Sequence, residues 1–233
     1  MELTELGPSL HLLRFDVGQA YLWQDDDTLT LIDTGPVGSG ELIAHAIRAV
    51  GRRPEELARI VLTHGHGDHA GAAAEIRRWS DAPLIAHRLE APLVRGVAPT
   101  PEPVLLDWER PLYEQVDGHL SAPSTTVDQE VDDGTLLDFG GGAQVVAIPG
   151  HTAGSIAVYL PRQGVLFTGD AVAEYEGEVI LGVFNQDLAQ VVRSAGRLAE
   201  LDAEVVCFGH GEPVRSSGAA RLRELAAVSQ SGQ

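Results

Sequence analysis

The sequence predicts an α/β fold of two half-domains, each a β-sheet with outer helices, and three observations support this. Short apolar runs typical of strands alternate with helix-like segments from residue 10 to residue 87. A proline-rich insert with little periodicity then extends from about residue 92 to residue 127. Strand-like and helix-like segments resume after the insert. Two half-domains satisfy this order, whereas no period of roughly 20 to 50 residues indicates a repeat fold.

The first half of the chain combines apolar strand runs with two helix-like segments. Ser39 is a suitable N-cap for the first helix, because its hydroxyl can accept a backbone N–H of the first turn. The second helix is predicted from a run of alanines. The predicted strands are Leu10–Val17, Ala20–Gln24, Thr28–Asp33, Arg59–Thr63 and Leu84–His87, and the predicted helices are Gly40–Val50 and Ala70–Trp79.

The insert separates the first half from the second. A loop of this length in a compact domain is typically functional, so we expect the insert to form a flap at the mouth of a pocket. A chain of 233 residues fits one α/β domain, and a single domain over 1–233 is predicted. The later strands are predicted at Thr135–Phe139, Gln144–Ile148, Ser155–Leu160, Val165–Thr168 and Glu204–Phe208, and the later helices at Leu188–Leu201 and Ala219–Ser229.

Charge and composition restrict the partners. The chain has 16 Lys and Arg against 34 Asp and Glu, a net charge of −18. Such a field repels nucleic acid and anionic membranes at long range, so a small-molecule substrate is expected, with no nucleic acid or membrane partner. The oligomeric state is left open. The absence of an apolar run of roughly 20 residues and of a signal-like N-terminus predicts a cytoplasmic location. The lone Cys207 fits a reducing compartment.

The most informative segment is the loop that follows the strand Arg59–Thr63. It places three histidines and an aspartate within six positions, separated by two glycines that let the backbone fold tightly. Imidazole nitrogens and carboxylate oxygens are typical ligands of zinc, and also of iron or manganese. The candidate metal ligands of this loop are His64, His66, Asp68 and His69.

Three further candidate ligands follow later strands, each on a turn that contains glycine. His151 follows the strand Gln144–Ile148, Asp170 follows Val165–Thr168, and His210 follows Glu204–Phe208. Loops at one end of a sheet can meet in space. Together with the histidine-rich loop, these residues predict one metal site assembled from both halves of the chain.

The order of these motifs resembles the metallo-β-lactamase superfamily. The resemblance covers Asp33 in Leu-Ile-Asp-Thr-Gly, the H-x-H-x-D-H loop and the three later ligands. It implies an αββα sandwich of two mixed sheets with outer helices. It also implies two metal ions and places Asp33 beside the ligand loop as a supporting group. In this resemblance His64, His66 and His151 hold the first metal, Asp68, His69 and His210 hold the second, and Asp170 bridges both.

Such a site predicts a hydrolase. Two divalent ions, zinc in preference to iron or manganese, would hold a bridging hydroxide that attacks an acyl or phosphoryl centre. Asp68 is predicted to orient the nucleophile, and Asp170 is the second predicted catalytic carboxylate. The favoured reaction is hydrolysis of a small thioester or lactone, because the glyoxalase II group and the acyl-homoserine lactonases share this ligand set. The short stretch after His210 argues against the usual glyoxalase II, which has a further glutathione-binding segment.

Other reactions remain open at this point. A persulfide dioxygenase would use one iron held by two histidines and an aspartate. A nuclease of the ribonuclease Z type conflicts with the acidic surface, and a true β-lactamase commonly carries cysteine where Asp170 stands. Two further residues are candidate substrate contacts: Tyr175, as a donor to a developing oxyanion, and His119, in the insert.

Overall fold

The computed structural model describes residues 1–116 and 121–231, which fold into two compact units. Unit 1 takes the described residues of Met1–Thr100 and Asp117–Val131, and unit 2 those of Pro101–Val116 and Asp132–Gln233. The insert is thus divided: its ends belong to unit 1 and residues 101–116 belong to unit 2. Within the described residues, every helix is too short or too polar to cross a membrane.

Unit 1 is built on a mixed seven-stranded sheet whose spatial order follows the chain order, β1 to β7. The first four strands pair antiparallel, and β4 to β7 pair parallel. Because parallel strands need a crossover, the connections of the second group hold the helices. The strands are β1 Glu2–Gly7, β2 Leu10–Arg14, β3 Gln19–Gln24, β4 Leu29–Ile32, β5 Leu57–Val61, β6 Leu84–His87 and β7 Gln129–Val131.

The helices of unit 1 are short and cover an apolar core. The Ala70–Trp79 prediction is wrong in its continuity, because the chain forms two single-turn helices with a turn at Gly71. A Cβ on Gly71 would lie 2.5 Å from the Val37 nitrogen, so the turn rests directly on another backbone segment. The helices are α1 Gly40–Ala49, α2 Gly67–Ala70, α3 Ala73–Ile76 and α4 Ala91–Val94, with a 3-10 turn at Pro54–Glu56.

The start of α1 is capped by a different residue from the one predicted. Ser39 occupies the N-cap position, but its side chain makes no capping hydrogen bond. The carboxylate of Glu75, from α3, accepts the N–H groups of Gly38 at 2.6 Å and Gly40 at 3.0 Å. A carboxylate at this position also complements the positive end of the helix dipole.

Unit 2 contains a five-stranded sheet in the order β14-β11-β10-β9-β8, with a separate hairpin of β12 and β13. Only the β11–β14 pair is parallel. The hairpin was not predicted, because its strands are only four residues long and mostly half-buried. The strands are β8 Leu136–Leu137, β9 Ala143–Ala147, β10 Ile156–Leu160, β11 Val165–Phe167, β12 Val172–Tyr175, β13 Glu178–Leu181 and β14 Val205–Cys207.

Three helices complete unit 2. Two of them match predicted helices, whereas the short helix inside the insert was not predicted. Asp187 caps the second of these helices, since its side chain accepts the N–H of Gln190 at 2.9 Å. The helices are α5 Arg110–Val116, α6 Leu188–Leu198 and α7 Gly218–Ser231.

Candidate metal centre

The histidine-rich loop of unit 1 lies at the carboxyl end of β5. Asp33 lies at the carboxyl end of β4, which pairs parallel with β5. Carboxyl ends of neighbouring parallel strands share one sheet edge, so Asp33 stands directly beside the loop. The sheet therefore brings the supporting aspartate and the four predicted ligands of unit 1 to the same place.

Asp33 holds the loop through three contacts. Its Oδ1 accepts the Thr63 N–H at 2.7 Å, and its Oδ2 accepts the Thr63 hydroxyl at 2.7 Å. Oδ2 also lies 2.9 Å from Nδ1 of His69. An imidazole whose Nδ1 donates to a carboxylate presents Nε2 as its ligand nitrogen. The sequence prediction of a supporting role for Asp33 agrees with these contacts.

Asp33 has a positive φ of 59°. Left-handed backbone at a residue other than glycine costs about 1–3 kcal/mol. The neighbouring contacts offset this cost, because the Asp33 N–H donates to the Val61 carbonyl at 2.9 Å and the Asp33 carboxylate is fully engaged. Such strain is typical of backbone that holds a functional side chain.

The four ligand candidates of unit 1 are buried and close together. Nε2 of His64 lies 3.1 Å from Nδ1 of His66, and Nε2 of His69 lies 3.6 Å from Oδ2 of Asp68. The rings of His64 and His69 are also adjacent, with centroids 4.1 Å apart. Unit 1 therefore presents two pairs of ligand atoms on one loop.

Glu90 also supports this loop and was not predicted. It is 1% exposed, and its Oε2 accepts the N–H of Gly65, between two predicted ligands, at 2.7 Å. The sequence contains a signal for it: Pro92 is compatible with the first turn of a helix, so a glutamate two residues earlier is near a helix N-terminus. That pattern predicts a position, but it does not predict the contact with Gly65.

The three ligand candidates of unit 2 come from three different turns. His151, Asp170 and His210 follow β9, β11 and β14. β9 and β11 both pair antiparallel with β10, and β14 pairs parallel with β11. The three strands therefore run in the same direction and end at the same sheet edge. This topology brings together residues that are far apart in the sequence.

Asp170 is central in unit 2. Its Oδ2 lies 3.2 Å from Nε2 of His210 and 3.8 Å from Nε2 of His151. Nδ1 of His151 lies 3.1 Å from the carbonyl oxygen of Val183, which acts as acceptor. His151 is buried, whereas the His210 side chain is 41% exposed. The Val183 carbonyl was not predicted, since a main-chain acceptor leaves no mark in the side-chain sequence.

The spacing within each unit fits divalent metal ions. Two ligands at about 2.0–2.1 Å from one tetrahedral zinc lie roughly 3.3 Å apart. The four pairs above span 3.1–3.8 Å, close to that value. The donors are imidazole and carboxylate, which suit zinc, iron and manganese. The residues of each unit therefore form a set of metal-binding side chains of the kind that holds divalent ions.

Three other residues were considered from the sequence: Tyr175, His119 and Cys207. Tyr175, at the end of β12, is 64% exposed. His119 lies outside the described residues. Cys207, at the end of β14, is fully buried, and burial raises the pKa of its thiol. A thiol that stays protonated is neither nucleophile nor metal ligand at neutral pH.

Comparisons with known proteins give the family. The Metallo-beta-lactamase superfamily profile matches residues 13–210. The probable metallo-hydrolase YflN of Bacillus subtilis is 30% identical over 231 residues, which cover 90% of this chain and 86% of that protein. A hydroxyacylglutathione hydrolase of Rhodobacter capsulatus is also 30% identical, over 82% of this chain and 61% of its own length.

Solved structures agree on the fold. A HARLDQ-motif metallo-beta-lactamase of Cronobacter sakazakii aligns with a TM-score of 0.76 at 21% identity, covering 100% of this chain and 92% of that one. A metallo-beta-lactamase family protein of Thermus thermophilus aligns with a TM-score of 0.69 at 26% identity, covering 97% and 81%. The fold implied by the sequence resemblance is thus confirmed. The chain is a metallo-hydrolase that belongs to the metallo-beta-lactamase superfamily.

Proposed function

We propose that the chain hydrolyses a small ester-like substrate, a thioester or a lactone. The observation that carries this proposal is the similarity to the hydroxyacylglutathione hydrolase of Rhodobacter capsulatus, at 30% identity over 82% of this chain. That relative's name describes hydrolysis of an acylglutathione, which is a thioester. Such a reaction requires ligands for metal ions that activate water, and the histidines and aspartates supply them.

The seven ligand candidates are proposed to form one centre for two ions. Each unit supplies an incomplete set: unit 1 brings three histidines and one aspartate, and unit 2 brings two histidines and one aspartate. The family match spans all seven residues. Zinc is the proposed metal. The first ion would be held by His64, His66 and His151, and the second by Asp68, His69 and His210, with Asp170 shared between them.

When bound, the two ions supply Lewis acidity and lower the pKa of water to near neutrality. The protein's own groups do the positioning. The carboxylate of Asp68 accepts a hydrogen bond from the attacking water and fixes its direction. Asp33 and the Val183 carbonyl hold the rings of His69 and His151 at the orientations described above.

The charge of the chain supports an acyl substrate over a polyanion. A net charge of −18 imposes a long-range penalty on RNA and DNA, whose binding depends on neutralising phosphates with lysine and arginine. A neutral thioester or lactone avoids that penalty. The proposed partner is therefore a small molecule, and cytoplasmic location stays a prediction from the sequence.

A substrate panel at matched metal loading tests the proposal. The panel contains a lactone series, a thioester series, a phosphodiester reporter and a structured RNA. We expect kcat/KM for a lactone or thioester to exceed that for both phosphodiesters by more than tenfold, about 1.4 kcal/mol in barrier. Asp68→Asn should lose most of this turnover while retaining the fold. Faster phosphodiester cleavage by tenfold or more would replace the proposal with a nuclease.

A further inference from the structure

A buried glutamate in the insert contacts the loop that orients a metal ligand. Two stretches of unit 2 are involved, residues 101–116 and residues 182–187. They are called the 101–116 segment and the 182–187 loop. Glu109 lies in the 101–116 segment, immediately before α5, and is 2% exposed. A buried carboxylate is costly unless its oxygens accept hydrogen bonds. The hydrogen-bond partners of Glu109 therefore indicate its structural role.

Each carboxylate oxygen of Glu109 accepts one backbone N–H. Oε2 accepts from Leu106 at 2.7 Å, within the 101–116 segment. Oε1 accepts from Phe184 at 3.1 Å, in the 182–187 loop. One side chain thus joins the two stretches of chain. A neutral amide cannot replace it, because glutamine has a single acceptor oxygen.

The Phe184 N–H and the Val183 carbonyl belong to the same peptide group. That carbonyl oxygen lies 3.1 Å from Nδ1 of His151, whose Nε2 faces Asp170. The peptide is planar, so fixing its N–H also fixes the direction of its C=O. A negative charge at the N–H end polarises the peptide and makes the carbonyl a better acceptor. Glu109 therefore acts on His151 through one intervening peptide.

The backbone of the 182–187 loop needs such support. Phe184 has a positive φ of 57°, which is strained for an aromatic residue. Its ring packs edge-on against Tyr113 of α5, with centroids 5.3 Å apart. The Val104 N–H donates to the Asn185 carbonyl at 2.8 Å. The loop is thus held in its strained form by several contacts from the 101–116 segment.

The opposite side of the same loop lies against the ligand turns. The Gln186 N–H donates to the carbonyl of His151 at 3.2 Å. A Cβ on Gly182 would lie 1.7 Å from the carbonyl oxygen of Asp170, so only glycine fits there. Displacement of the 182–187 loop would therefore reach two of the predicted ligands.

We propose that Glu109 is a positioning residue for the metal centre, which orients His151 through the Val183–Phe184 peptide and fastens the 101–116 segment to that peptide. This rests on the proposed function only in taking His151 as a metal ligand. The arrangement corresponds to a carboxylate that supports a metal-bound histidine, with a peptide group placed between them. It gives the 101–116 segment a role in holding the 182–187 loop.

The test compares Glu109→Gln with Glu114→Gln. Each substitution removes one negative charge, Glu109 immediately before α5 and Glu114 within it, but Glu114 is exposed. Amide hydrogen exchange of metal-free protein reports the anchor itself. We expect the Phe184 and Leu106 amides of Glu109→Gln to exchange at least about tenfold faster than those of the unmodified protein. In Glu114→Gln the same amides should exchange at the rate of the unmodified protein.

Zinc titration and the visible spectrum of Co²⁺-loaded protein report the effect on His151. We expect Glu109→Gln to weaken zinc affinity about tenfold, the lower end for residues that support a metal-bound histidine, and to shift the cobalt spectrum. Glu109→Asp, which keeps both oxygens, should recover part of the affinity. Unchanged exchange would overturn the anchor, and faster exchange with unchanged affinity and spectrum would overturn the positioning role. Both readouts are independent of the substrate, so a failed substrate panel leaves them interpretable.

Discussion

The two units supply their ligand candidates in different ways. In unit 1 they lie on one loop, from His64 to His69, whereas in unit 2 they come from three turns spread between His151 and His210. A single loop is held by side chains near it, Asp33 and Glu90. Three separate turns depend on the sheet edge that aligns them. The first arrangement is local and the second is a product of topology.

The supports of the two units nevertheless share a physical device. Each unit has a glutamate two residues before a proline at a helix start, Glu90 and Glu109. Glu90 accepts the N–H of Gly65, between two ligand candidates, and Glu109 accepts the N–H of the peptide whose carbonyl contacts His151. Each unit also has a strained residue at positive φ, Asp33 at 59° and Phe184 at 57°. Buried carboxylates that accept backbone N–H groups can hold backbone which would otherwise relax. The difference is that Asp33 contacts a ligand directly, whereas Glu109 acts through a peptide.

The largest expected effect concerns the direct support in unit 1. Asp33→Asn removes a charged acceptor from Thr63 and His69, and hydrogen bonds to charged groups contribute about 1.5–3 kcal/mol. We expect metal-free Asp33→Asn to lose about 2–3 kcal/mol of unfolding free energy. Chemical denaturation of metal-free protein measures this loss.

Asp170→Asn is the matched substitution in unit 2. In metal-free protein it should cost less than about 1 kcal/mol, because it removes a charge from a cluster rather than a support from a strained turn. It should instead weaken the binding of both ions, because Asp170 is the proposed shared ligand. Equal losses of stability for both variants would contradict the comparison.

The smallest expected effect concerns a surface contact of unit 2. Arg197, on α6, donates to Asp133 at 2.8 Å, and this hydrogen bond lowers the pKa of Asp133 from its usual 3.8. Because the pKa of Asp133 is lower in the folded protein than in the unfolded chain, the contact stabilises the folded state at pH values above the unfolded pKa. This contribution is lost as the pH falls through the folded pKa. Both side chains are nearly half exposed, so screening limits the contribution to about 0.5 kcal/mol.

Denaturation of Asp133→Asn measures that contribution. The variant should be slightly less stable than the unmodified protein at pH 7, and the difference should shrink below pH 3.8. Added salt at pH 7 should shrink it as well. The Ala147 N–H also donates to Asp133, at 2.9 Å. A difference that is constant with pH would mean that this hydrogen bond, not the charge of Arg197, dominates the contact.

The comparison also explains what the sequence could predict. The H-x-H-x-D-H loop could be predicted because its ligands lie within six positions of the sequence. Asp33 could be predicted through the family resemblance. The strands before His151, Asp170 and His210 were predicted within one or two residues, since apolar runs mark buried strands. The common edge of β9, β11 and β14 required the sheet order, which strand runs alone do not specify.

Other features could not be predicted, for physical reasons. Glu90 and Glu109 act on backbone N–H groups, and the Val183 carbonyl acts as a main-chain acceptor, so no pairing of side-chain types marks them. The broken helix at Gly71 depends on close approach to a distant backbone segment. The strands of the β12–β13 hairpin are short and lack apolar alternation. Each of these features depends on tertiary contacts rather than on local pattern.

We propose that the chain holds two metal ions, with His69 and His210 as ligands of the second. Elemental analysis of protein purified without added metal, followed by zinc titration, tests it most directly. We predict two zinc ions per chain in active protein, with one lost in His210→Ala and at least one lost in His69→Ala. Fully active protein that carries a single iron and no zinc would contradict the account, because a mononuclear iron site needs only two histidines and a carboxylate.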